Sequence, residues 1–78
     1  MPYFWLSFCD PDRPKGTQFL GALVAEGDDF IEAVRESHLR GVNPGGEVLS
    51  VELPETVEVE AHRLWHLMAA EEARNWKL

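Results

Sequence analysis

Residues 3–9, "YFWLSFC", decide how this chain folds. The run is rich in aromatic residues and closes at Asp10-Pro11, the signature of a strand and its end. Phe4, Leu6 and Phe8 fall on one face, and Tyr3, Trp5, Ser7 and Cys9 on the other. A strand apolar on both faces belongs in the interior of a sheet. Residues 19–25, "FLGALVA", form a second strand, in which Gly21 permits a bulge or a close backbone approach. Residues 27–41, "GDDFIEAVRESHLRG", then change period. Asp29 and Glu32 make a capping box, Gly41 suits a left-handed stop, and Ile31, Val34 and His38 line one face with Phe30 and Ala33 beside them.

Residues 47–53, "EVLSVEL", read as a third strand that Pro54 ends. Leu49, Val51 and Leu53 are expected on its buried side, with Glu47, Ser50 and Glu52 mostly outward. Residues 56–78 read as a second helix, apolar at Ala61, Leu64, Trp65 and Met68, whose first five residues alternate and suit a short extended start. No repeat or low-complexity segment interrupts the order β–β–α–β–α.

The strand of residues 3–9 is the interior one, and the charged strand of residues 47–53 is an edge. The expected spatial order is therefore 2-1-3, antiparallel throughout, in a small α+β fold with both helices mainly on the Phe4, Leu6 and Phe8 face. This order brings "DPDRPKGTQ" (10–18) and "GVNPGGE" (41–47) to one rim of the sheet. Arg13, Lys15, Arg40 and Asn43 are candidate ligand-binding residues there, with the amides of Gly45 and Gly46, because Gly-rich turns and cations recognise anions. The opposing reading is that Pro and Gly only make tight turns. Neither a P-loop nor a dinucleotide fingerprint is present, and the C-terminal end of the first helix, the negative end of its dipole, points to this rim.

Seventy-eight residues make a single domain, 1–78. Apolar residues at 45% and charged residues at 27% place it among globular rather than disordered chains. A core of this size supplies only about 3–5 kcal/mol, and a lone cysteine, Cys9, rules out an intrachain disulfide. A homodimer is the expected means of reinforcement. The aromatic face of Tyr3 and Trp5, and the end of the second helix with Trp65 and Trp76, are the candidate interfaces. The alternative is that the second helix crosses to that face and buries it.

Fourteen acidic and seven basic side chains give a net charge of −7. Five Glu and no Lys or Arg lie between Glu47 and Glu60, which adds Glu52 and Glu55 to the candidate interface. This balance opposes direct contact with nucleic acid. The opening run is too short to span a bilayer and shows no basic leader or cleavage site, so no membrane association and a cytoplasmic location are expected.

His62 and His66 sit four apart, a spacing that can share a metal with Glu58 as a third ligand, but Arg63 stands where a metalloprotease helix needs Glu, and with ligands on one helix only the pair reads as part of a helical face. His38 reads as a residue on the border of an amphipathic face. Cys9 has no readable base beside it. No catalytic residue, metal site or cofactor is assigned, and an enzyme is the last of three readings. The first is a protein-binding module, with inhibitors of basic, nucleic-acid-handling proteins as its nearest analogy. The second is a small-anion or nucleotide binder that uses the rim.

The stretch "GALVAEGDDFIEAVRESHLRG" (21–41) resembles the strand-to-helix step of HicB-type antitoxin domains, where an acidic turn precedes an "EA" helix. It covers about a quarter of the chain. The Pro-Asp-Leu-Pro-Gly-like segment and the DNA-binding appendage of that family are absent, so the likeness is a shared local solution and assigns no family.

Overall fold

A computed structural model describes residues 2–76. The elements are β1 (Tyr3–Cys9), β2 (Phe19–Glu26), α1 (Phe30–Leu39), β3 (Glu47–Glu52), a single 3-10 turn (Ala61–Arg63) and α2 (Ala70–Asn75). The three strands form one antiparallel sheet in the order β2-β1-β3, the order that the two-sided apolarity of β1 requires. Phe4, Leu6 and Phe8 of β1 join Leu23, Ala25 and Ala33 in the main core. The Asp29 side chain accepts from the Glu32 amide at 2.9 Å and starts α1. Among the described residues no helix is long and apolar enough to cross a membrane.

The core-facing stripe of α1 only partly matches the one its apolar periodicity suggested. Ala33 and Ser37 are fully buried and Val34 packs against the core, whereas Phe30, Ile31, His38 and Leu39 are exposed. Small side chains let a helix lie close on a sheet, and the Ser37 hydroxyl avoids an unmet bond by donating to the Val34 carbonyl. The third strand is also turned over. Its register sets Val48, Ser50 and Glu52 opposite Phe8, Leu6 and Phe4, so Leu49 and Val51 share the face of Trp5. Leu53 alone of the expected trio is buried, held by its amide on the Tyr3 carbonyl at 2.9 Å.

The long second helix does not form. Residues 54–60 are irregular, the 3-10 turn follows, and only Ala70–Asn75 is helical; the expected last residues, 77 and 78, lie outside the described part. Tertiary hydrogen bonding overrides the helical pattern here. Residues 64–68 lie along the outer edge of β2, where the Trp65 amide donates to Val24, Met68 donates to Ala22 at 2.7 Å, and Ala22 returns a bond to Met68 at 3.0 Å. Gly21 makes this approach possible, because a Cβ there would lie 2.8 Å from Leu67 Cδ1 and 3.1 Å from the Met68 carbonyl. The same residue ends the regular register, which slips between Phe8 and Cys9 and leaves Leu20 as a bulge.

Trp65 occupies a costly position in this segment. Leu64 (φ −68, ψ 128) and Trp65 (φ 62) are the central residues of a type II turn closed by the His66 amide on the Arg63 carbonyl. The third position of such a turn favours glycine, so the indole must hold a strained backbone in place by packing on the main core and under the Arg40 guanidinium, 4.6 Å away. Trp65→Ala is expected to cost about 2 kcal/mol, below the usual buried-Trp range because the residue is only partly buried. Trp65→Gly removes the same packing but relieves the turn, and is expected to be no less stable than the alanine variant. Urea denaturation of the two variants checks this, and glycine less stable by about 1 kcal/mol would show that the turn is unstrained.

Candidate functional site

The two Pro/Gly loops do leave the sheet at one rim, because Cys9 pairs with Glu47 of β3 and Phe19 of β2. Their polar groups are largely occupied within the loops. The Asp10 carboxylate accepts from the Asp12 amide, and the Gln18 amide group donates to the carbonyls of Pro11 and Arg13, which folds residues 10–18 onto themselves. Asn43 receives the Gly45 amide on its Oδ1 at 2.8 Å and donates from Nδ2 to the Ser37 hydroxyl. The Gly45 N–H is therefore not aimed at a ligand.

Arg40 does not join the rim. Its Nε pairs with Glu36 at 2.9 Å and its guanidinium lies over Trp65, in a shallow depression also lined by Glu26, Gly27 and Glu32. Arg13 and Lys15 are exposed, without an ion pair among the described residues. Of the six rim candidates, only Asn43 and Gly45 are hydrogen-bonded to each other among the described residues, and with the adjacent Gly46 they build a turn. Gly46 (φ 74) is a structural necessity, since a Cβ there would collide with the Cys9 carbonyl group. Gly45 (φ 88) faces open space. Gly45→Ala is expected to cost about 1–2 kcal/mol from backbone strain alone, and Gly46→Ala about 2–5 kcal/mol from strain plus overpacking. Arg13→Ala and Lys15→Ala should stay within about 0.5 kcal/mol of the parent. Thermal denaturation of the four variants ranks them, and equal losses at Gly45 and Gly46 would contradict the close approach to β1.

The aromatic candidates are engaged within the chain. Trp76 follows α2 and stacks on Trp5 with ring centroids 5.2 Å apart and planes 20° from parallel. Arg63 lies 5.7 Å from the Trp76 ring and donates to the Met68 sulfur at 3.8 Å. The register puts Trp5, Val24 and Ala22 on the face opposite Phe4, Leu6 and Phe8, so the stacked indoles and these buried residues make a second, smaller core there, bordered by the buried Met68. Trp65 is held beneath Arg40, as described. His62 and His66 share no helix; they contact Glu60 at 3.4 Å and Glu72 at 3.1 Å respectively.

The remaining candidates converge. Tyr3, Glu52 and Glu55 line one hollow of about 530 Å³, completed by Pro2, Leu53, Pro54 and Val57. It lies at the C-terminal end of β3, where the Leu53 amide pins the strand to Tyr3 and Pro54 turns the chain away. Its walls are an aromatic ring and aliphatic side chains, and its charge comes from two carboxylates. Such a hollow suits a cation carried on an apolar stem.

Sequence reasoning missed the exposed apolar groups beside β3. Leu49 and Val51 are 69% and 56% exposed, and Phe30 of α1 borders a second depression with Val48, Leu49 and Ser50. The alternation of "EVLSVE" carried the signal, since it places one apolar pair on the face opposite Val48 whichever side is buried. No known protein family, curated protein or solved structure matches the chain.

Proposed function

We propose that this chain is a non-enzymatic protein-binding module that captures a basic segment of a larger protein. The observation that carries the reading is the convergence of Tyr3, Glu52 and Glu55 on one hollow. A Lys or Arg side chain entering it would lay its methylene stem on Tyr3, Pro54 and Val57 and present its charge to the two carboxylates. The net charge of −7 and the stretch from Glu47 to Glu60, whose only charged residues are five Glu, steer a basic partner toward this end of the sheet. A protein whose own positive surface handles nucleic acid fits this chemistry, because an acidic domain seated there competes with phosphate. Inhibition of such a protein is the role we assign to the module. A cytoplasmic setting accords with a free Cys9 thiol.

Fluorescence anisotropy with a labelled peptide of alternating Arg and Ala tests the hollow. Binding is expected to weaken as salt rises. The pair Glu52→Lys/Glu55→Lys should weaken it about tenfold more than the pair Asp28→Lys/Glu71→Lys, which changes net charge equally on exposed positions outside the hollow. Tyr3→Ala should weaken it as well. Equal losses from the two charge-reversal pairs would reduce the effect to net charge and overturn the assignment.

A further inference from the structure

A three-stranded sheet has two edges, and this chain treats them differently. The outer edge of β2 is covered by residues 64–68, which take up both outward backbone groups of Ala22 and the carbonyl of Val24. The outer edge of β3 has no strand beside it among the described residues. The bond from the Leu53 amide to the Tyr3 carbonyl fixes which groups are left. In an antiparallel pair, residues alternate between facing the partner strand and facing away. With Tyr3 opposite Leu53, the residues bonded to β1 are Glu47, Leu49, Val51 and Leu53, and the N–H and C=O groups of Val48, Ser50 and Glu52 point outward.

An open edge is ordinarily blunted by charged side chains, Lys above all, by Pro, by a bulge or by a covering loop. Between residues 47 and 52 the only charges are Glu47 and Glu52, at the two ends of the strand, there is no Lys or Pro, the register with β1 is unbroken, and the side chains around the edge include exposed Leu49, Val51 and Phe30. The strand also complements itself. In a two-fold antiparallel pairing centred on Ser50, Val48 bonds to Glu52 of the second copy, Ser50 to Ser50, and Glu52 to Val48. All the outward backbone groups are then satisfied together. The same register sets Leu49 directly opposite Val51 of the second copy, twice, in the closely spaced type of pair. No glutamate faces a glutamate, because Glu47 meets Leu53 and Glu52 meets Val48. Shifting by two residues toward the N-terminus pairs Glu52 with Gly46, whose positive φ lies outside the strand. Shifting the other way pairs Val48 with Pro54, which has no N–H to give.

We propose that two copies of this chain join along β3 in the Ser50-centred register, making one continuous six-stranded antiparallel sheet. The interface is isologous, as a closed dimer requires. It is a different surface from the Trp5 ring, which Trp76 already covers, and it does not depend on what the hollow binds. The two hollows lie at opposite ends of the joined strands, so the dimer presents two equivalent sites and gains from any partner with two basic segments.

Sedimentation velocity from low to high micromolar concentration reads the assembly, with a species of twice 8.9 kDa expected. Added salt should leave the dimer intact or strengthen it, the opposite of its expected effect on peptide binding, so the two readings fail separately. Leu49→Lys/Val51→Lys sets like charges opposite each other on exposed positions and should give a monomer with unchanged circular dichroism. A second measurement covers the event that this variant misfolds. In a Cys9→Ser background, Leu49→Cys and Val51→Cys chains should cross-link readily when mixed and poorly when either is oxidised alone. A wild-type monomer at every concentration, a dimer indifferent to the two lysines, or cross-linking of Leu49→Cys with itself as fast as in the mixture would each overturn the proposal.

Discussion

The backbone of β1 is saturated on both sides, and the rest of the molecule follows from how its two neighbours complete their own hydrogen bonding. Alternate residues of β1 bond to β2 and to β3, so each outer strand keeps half of its polar groups for something else. In a domain this small, that residual demand is large relative to the core. The chain meets it on the β2 side by laying residues 64–68 along the edge, at the expense of the helix that their apolar spacing would otherwise favour. On the β3 side no element of the described chain meets it.

The covering of β2 also explains the second core. Once Met68 is drawn to Ala22, α2 begins at Ala70 and brings Trp76 onto Trp5, closing half of the face opposite α1. The closure stops short of β3, where Leu49 and Val51 stay exposed. Trp65 is the hinge of this arrangement, holding a turn that its backbone does not favour through the packing of its ring. The hollow at Tyr3, Glu52 and Glu55 sits at the seam between the pinned end of β3 and the irregular stretch after it.

The class, the strand order, the first two strand boundaries and the start of α1 were all legible in the sequence, because each has a local cause: two-sided apolarity in residues 3–9, turn chemistry at Asp10-Pro11, a capping Asp29. The facing of β3 was not. "EVLSVEL" offers a longer apolar stripe on Leu49, Val51 and Leu53 than on Val48, and the register imposed by β1 overrides it. The fate of residues 56–69 was hidden for a similar reason. A helical spacing of Leu64, Trp65 and Met68 says nothing about a free sheet edge elsewhere that can bond the same backbone. Of the candidate site, Tyr3, Glu52 and Glu55 were legible from charge and aromatic content. Arg40 misled because its side chain lies back over Trp65 rather than toward the loop it precedes.

The unequal treatment of the two sheet edges is open to direct measurement by amide hydrogen exchange, residue by residue, in dilute solution where the chain is a single copy. Ala22 should be protected through its bond to Met68, and Leu49 and Val51 through their bonds to β1. Val48, Ser50 and Glu52 should exchange rapidly, giving a strict alternation along β3 that disappears as concentration rises. Protection of all six β3 amides in the dilute monomer, or rapid exchange at Ala22, would contradict the account.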